Sequence, residues 1–194
     1  MQLLIPLIIF IFIILWVVSL YNFFVSSKAR IKAAIQEIGN QLKRQAELIP
    51  NLESSVKGYM KHETQIFKML TDARKAITEA SKSGDIQKMS EAGEKLSAVL
   101  PRLSVAVESN PQMQASQIVS DLMSELRDTS DKVMYARRLV IDLTADYNVK
   151  RVSFPSNMIA SMFSFNELPG LITPETGSHM EVSEDETKTP KVSL

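Results

Sequence analysis

The first 27 residues carry no charged side chain, and Lys28 is the first to do so. From Leu3 to Val18 they are almost wholly Leu, Ile, Phe, Val and Trp. About 20 apolar residues in a helix cross the hydrocarbon core of a bilayer. Leu3 to Leu20 meets that length, and Phe23, Phe24 and Val25 extend it. Trp16 and Tyr21 stand toward one end, where amphipathic rings favour the membrane interface. Pro6 falls near the helix start, where its missing N–H costs little. A cleaved signal peptide would need a basic leader and a small-residue cleavage site. Met1-Gln2 supplies no basic side chain, and Tyr21-Asn22-Phe23-Phe24-Val25 is a poor cleavage site. A buried core helix would need equally apolar partners, and no other segment offers them. The expectation is an uncleaved transmembrane anchor over residues 1–27. Lys28, Arg30, Lys32, Lys43 and Arg44 follow it against Glu37 alone, which places that side in the cytoplasm and the N-terminus outside.

The remainder reads as all-α. Six glycines and eight prolines are few for a turn-rich β fold. Apolar residues recur alternately three and four apart in four segments. The first holds Ile31, Ile35, Ile38 and Leu42, and stepping back from it reaches Phe24 and Val17, so this helix continues out of the anchor. The second holds Leu52, Val56, Tyr59, Glu63, Ile66, Leu70, Ala73 and Ile77. The third holds Ile86, Met89, Gly93, Leu96, Leu100, Leu103 and Val107. The fourth runs Ala115, Val119, Leu122, Leu126, Thr129, Val133, Ala136, Val140, Leu143 and Tyr147. Breaks are expected at Pro50-Asn51, at Ser81-Lys82-Ser83-Gly84-Asp85 with Asp85 as N-cap, at Asn110-Pro111, and at Phe154-Pro155. Pro101 predicts a kink or a split in the third helix. Short loops between long helices predict an elongated antiparallel up-down bundle over residues 28–165.

Beyond Pro155, Met158, Ile159, Met162, Phe163 and Phe165 make the stretch Ser156 to Phe165 amphipathic, and it is expected to dock its apolar face beside the anchor. Residues 166–194 are expected to be a disordered tail, acidic from Pro174 onward.

Charge and composition exclude several chemistries. Lys+Arg and Asp+Glu balance at 22 each, and there is no cysteine. Disulfides, thiolate metal sites and cysteine nucleophiles are thereby removed. The basic residues are spread and offset by acids, which argues against nucleic acid. His62-Glu63 begins like a zinc-protease helix, but Ile66 stands where the second histidine belongs, and the other histidine, His179, lies in the tail. The six glycines are scattered and form no phosphate loop. Asp142 and Asp146 lie one helical turn apart, but Arg138 and Lys150 each stand four residues from one of them, which reads as a solvated helix face. Glu63 occupies a seam position, where a buried carboxylate must be paired or neutral: it reads as a structural ion pair or a partly solvated seam edge, with Arg74 and Arg137 as candidate counterions, or else as a polar specificity element facing a partner. No catalytic, cofactor-binding or metal-ligating residue is assigned, and no small-molecule substrate is expected.

A set of short motifs carries a family likeness. They are Tyr21-Asn22, Leu42-Lys43-Arg44, Leu48-Ile49-Pro50-Asn51-Leu52, Val56-Lys57-Gly58-Tyr59, His62-Glu63 and Ala73-Arg74. Later come Leu122, Glu125-Leu126, Ala136-Arg137-Arg138, Tyr147-Asn148 and Phe154-Pro155. In order and spacing, from about residue 20 to 165, the chain resembles the LemA family of bacterial membrane proteins. It departs from that pattern at Gln45, Asn110, Ser130, Val140-Ile141 and Pro101. The resemblance implies a helical cytoplasmic domain on an N-terminal anchor in the bacterial inner membrane, and it implies no enzymatic activity. The function expected is that of a membrane-tethered adaptor or scaffold for protein partners. The alternative is a structural protein that self-assembles on the membrane.

Overall fold

The computed structural model describes residues 4–59 and 64–172. Among these residues all regular structure is helical. The helices are α1 (Leu4–Val56), α2 (Thr64–Ser83), α3 (Ile86–Glu108), α4 (Pro111–Gln114), α5 (Gln117–Val152) and α6 (Ser156–Met162).

Helix α1 is one rod of 53 residues. Its first part is long and apolar enough to cross a membrane, and only 6% of that stretch is buried, so it is not a core helix. Farther along, the exposed apolar surface narrows to one buried stripe: Phe24, Ile31, Ile38, Leu42, Ile49, Leu52 and Val56. The change from apolar on every side to apolar on one side marks where packing against the rest of the protein begins. As the spacing predicts, no break separates the two parts.

The break expected at Pro50-Asn51 is absent: α1 passes through Pro50 and ends six residues later at Val56. An interior proline costs about 3 kcal/mol. Ile49 and Leu52, both fully buried beside it, contribute about 1.5–3 kcal/mol each, so packing holds the helix together. The chain turns instead at Lys57-Gly58-Tyr59, where the Tyr59 amide donates to the Val56 carbonyl at 3.0 Å. Leu52 and Val56 therefore belong to α1, not to the second helix, and Tyr59 is exposed.

Helix α2 returns along α1, with Thr71 Oγ1 donating to Glu53 Oε1 at 3.2 Å. It buries Ile66, Leu70, Ala73 and Ile77 as the periodicity predicts. Gly84 closes it at φ +67°, a left-handed conformation that suits glycine. Asp85 then caps α3 by accepting from the amides of Gln87 and Lys88. Helix α3 runs through Pro101 without splitting, held on either side by buried Leu100 and Leu103. Asn110 caps as expected, but what it caps is the single turn α4, and Ser116 supplies a second cap that opens α5. Ala115 is consequently an exposed connector, not a seam residue.

Helix α5 is the most extensive neighbour of α1. Phe24 meets Tyr147 and Arg44 meets Glu125, so the two run antiparallel. Close approach of α3 depends on Gly93, where an added Cβ would lie 2.9 Å from the Val133 side chain and 3.7 Å from Leu42. The hairpin of α2 and α3 is shorter than the pair it covers. At 1.5 Å per residue, the 23 residues of α3 span roughly 35 Å against roughly 54 Å for the 36 residues of α5. The lower third of the α1–α5 pair needs another cover.

Helix α6 and the chain after it supply that cover. The packed chain extends to Ile172, past the boundary expected at residue 165. Leu171 is buried in the main core, and the Ile172 amide donates to Gln87 Oε1 at 3.1 Å. The acidic stretch from Pro174, with His179, lies outside the described residues, as do His62 and Glu63.

Candidate functional site

Few of the polar groups singled out in the sequence come together. Arg137 on α5 pairs with Glu94 on α3, and Arg44 on α1 pairs with Glu125 on α5. Arg74 is exposed on α2. Asp142 and Asp146 are both exposed, with Asp142 Oδ2 at 3.9 Å from Arg138 Nε, as a solvated face requires. Among the described residues no group of three metal-ligating side chains gathers. A shallow groove of about 520 Å³ between α2 and α3 is lined by Met69, Asp72, Lys75, Glu79, Lys95 and Val99. Its opposite charges offer balanced polar surface without a nucleophile and base in contact.

One core position breaks the apolar pattern. Gln45 continues the α1 stripe between Leu42 and Ile49, is fully buried, and has no protein partner for either amide atom. A buried polar group left unsatisfied costs about 1–3 kcal/mol. Gln45→Met keeps helix propensity and removes that cost. It is expected to raise stability by about 1–3 kcal/mol, seen as a higher thermal midpoint of the detergent-solubilised chain. An unchanged midpoint would mean that a buried water already satisfies the amide.

The best-organised surface lies where α1 leaves its bare apolar stretch. A second small core of Phe24, Ile31, Tyr147 and Ala160 forms there, flanked by Phe23, Leu143, Phe165 and Leu168. Phe165 stacks on Phe24 at 4.8 Å between centroids, Tyr147 meets Phe24 edge-on at 5.5 Å, and Phe163 meets Tyr21 at 5.0 Å. Such aromatic pairs add about 0.5–1.5 kcal/mol beyond the area they bury. Polar ties fix the strap after α6. Tyr147 Oη donates to the Asn166 carbonyl at 3.0 Å. Asn148 reads Leu168 at both backbone groups, donating to its carbonyl at 2.8 Å and accepting from its amide at 3.1 Å. Arg151 bonds Glu167 at 2.9 Å. Burial pushes the Tyr147 phenol above its ordinary value, with the Arg151 charge opposing. Tyr147 therefore keeps its proton, and its hydrogen bond, at neutral pH.

The expected docking of Ser156 to Phe165 is thus divided by face. Ile159 and Ala160 are buried, whereas Met158 and Met162 point outward. Sequence reasoning missed Asn148 as the clamp on the strap. The available signal was Leu168 and Leu171, two apolar residues beyond the supposed end of the domain.

These ties give a structural task to Tyr147-Asn148 and, through Tyr21, to the residues that follow the anchor. The LemA family model matches residues 34–193, most of the chain. The chain belongs to the LemA family. Comparison with curated proteins finds no match. LemA proteins are membrane-associated, in keeping with the exposed apolar stretch of α1.

Proposed function

We propose that this LemA-family chain is a non-enzymatic, membrane-tethered adaptor or scaffold. In this reading it holds an elongated up-down helical bundle in the bacterial cytoplasm and offers it to protein partners. The observation that carries the reading is the continuity of α1, which passes from exposed apolar stretch to packed stripe without a joint. A rigid rod sets the height of the domain: the 33 residues from Phe24 to Val56 reach roughly 50 Å from the bilayer. Fixed height and fixed orientation serve a docking platform, since less entropy is lost when a partner binds a pre-ordered surface.

The second reading is self-assembly on the membrane. Ile118, Met134 and Tyr135, all exposed on α5, favour it. Crosslinking in native membranes separates the two. A single heterologous product supports the adaptor, and a ladder of homo-oligomers supports assembly. For the topology, protease added outside intact cells is expected to leave residues 30–165 whole. Their digestion would reverse the orientation.

A further inference from the structure

The side of α6 turned away from the protein presents two large apolar side chains, with the exposed Ser161 beside them. Met158 (64% exposed) and Met162 (65%) stand one turn apart on it, and Phe154, in the turn that precedes α6, is 81% exposed. Phe163, Tyr21 and Val25 continue the patch onto α1, each more than 40% exposed. Large apolar patches of this kind are rarely left to water.

The anchor fixes where this patch sits. A span of about 20 residues crosses the hydrocarbon core, and twenty residues counted from Leu4 end at Phe23. Phe163 packs on Tyr21 and Phe165 on Phe24, so α6 is level with the end of the span. Cations gather at the same level. Lys28 Nζ lies 5.3 Å from the centre of the Phe165 ring, and Lys150 Nζ lies 5.9 Å from that of Phe23. Arg151 is beside them on α5, tied to Glu167. Segment Ser156 to Phe165 has no lysine or arginine of its own, but its neighbours supply them.

We propose that α6 is a second membrane contact, with Phe154, Met158 and Met162 seated in the boundary between acyl chains and headgroups. Lys28 and Lys150 meet anionic lipid phosphates beside them. The arrangement is that of a short interfacial helix, with apolar side chains sunk and basic groups at phosphate level. Two contacts at one end, the spanning helix and α6, stop the rod from tilting toward α6 and fix which side of the domain faces along the membrane. The proposal rests on the anchor reading above.

The full chain reconstituted in phosphatidylcholine–phosphatidylglycerol vesicles tests both and separates them. Trp16, within the span, is the chain's one tryptophan, and its quenching by lipids brominated on the acyl chain reports the anchor. With Trp16→Phe as background, Met158→Trp and Phe154→Trp report α6, and Ile118→Trp at the far end of α5 is the control. The expected result is quenching at 158 and 154 comparable to that of Trp16, greatest with bromines near the headgroup, and none at 118. Adding Met162→Glu should reduce the quenching at 158. Quenching of Trp16 without quenching at 158 and 154 overturns the proposal and leaves the anchor standing. Blue-shifted but unquenched emission at those sites also overturns it, because protein then covers the patch. Absence of quenching at Trp16 overturns the anchor itself.

Discussion

Phe24→Ala is expected to lower stability by about 3–5 kcal/mol, the usual cost of emptying a buried phenylalanine site, and to release the strap. Phe24 is wholly buried, with Phe165 stacked on one side and Tyr147 edge-on against it. Removing the ring takes the floor from under Phe165 and one wall from Tyr147 together. The backbone ties at Asn148 and Tyr147 remain, but each net hydrogen bond contributes only about 0.5–1.5 kcal/mol. Hydrogen exchange at residues 166–171 should therefore accelerate more than exchange at the α2–α3 hairpin, and Phe24→Leu should recover part of the loss. Unchanged protection across 166–171 would show that Asn148 alone holds the strap.

Leu126→Ala carries a comparable effect of about 2–5 kcal/mol, for a different reason. Leu126 is fully buried in the main core, on the helix that faces α1 along its length. The cavity cannot collapse easily, because Gly93 already brings α3 against α5 with little slack at Val133. The loss should be global, lowering the melting midpoint of every helix beyond the anchor together. A midpoint equal to that of the unaltered chain would remove Leu126 from the core.

These sites differ in how far the sequence revealed them. Leu126, Ile38, Leu70, Leu96, Val133 and Val140 lie on the three-four spacing, and all are buried. Period alone could not locate the first turn, because the same register can be carried from Ile31 to Ile77 with only Gln45 and Glu63 polar, through both Pro50 and Lys57-Gly58-Tyr59. Proline looked like the stronger breaker, yet the burial of Ile49 and Leu52 outweighed it, and the chain reversed at the glycine. The strap was invisible for another reason. An extended segment fixed by one asparagine and one tyrosine leaves no periodic trace, and Pro169-Gly170 between Leu168 and Leu171 disguises it as the start of a tail. From sequence Gln45 stays off the stripe, because a glutamine reads as surface, and only the packing shows that it is fully buried with neither amide atom paired.

The pairing of α1 with α5 sets an order for events on the ribosome. The apolar stretch of α1 emerges first, but Phe24 finds its stacked partner only when Phe165 is made, 141 residues later by their numbers and after its edge-on partner Tyr147. At about 5–20 residues per second, the stripe from Phe24 to Val56 waits roughly 7–28 s for complete cover. The hairpin of α2 and α3 can shield its upper part meanwhile, since both helices are synthesised sooner. The part next to the bare apolar stretch must stay open until α6 and the strap arrive. The end of the domain next to the bare apolar stretch of α1 is therefore the last to close during synthesis, and a nascent chain stalled before Phe165 would leave that seam uncovered.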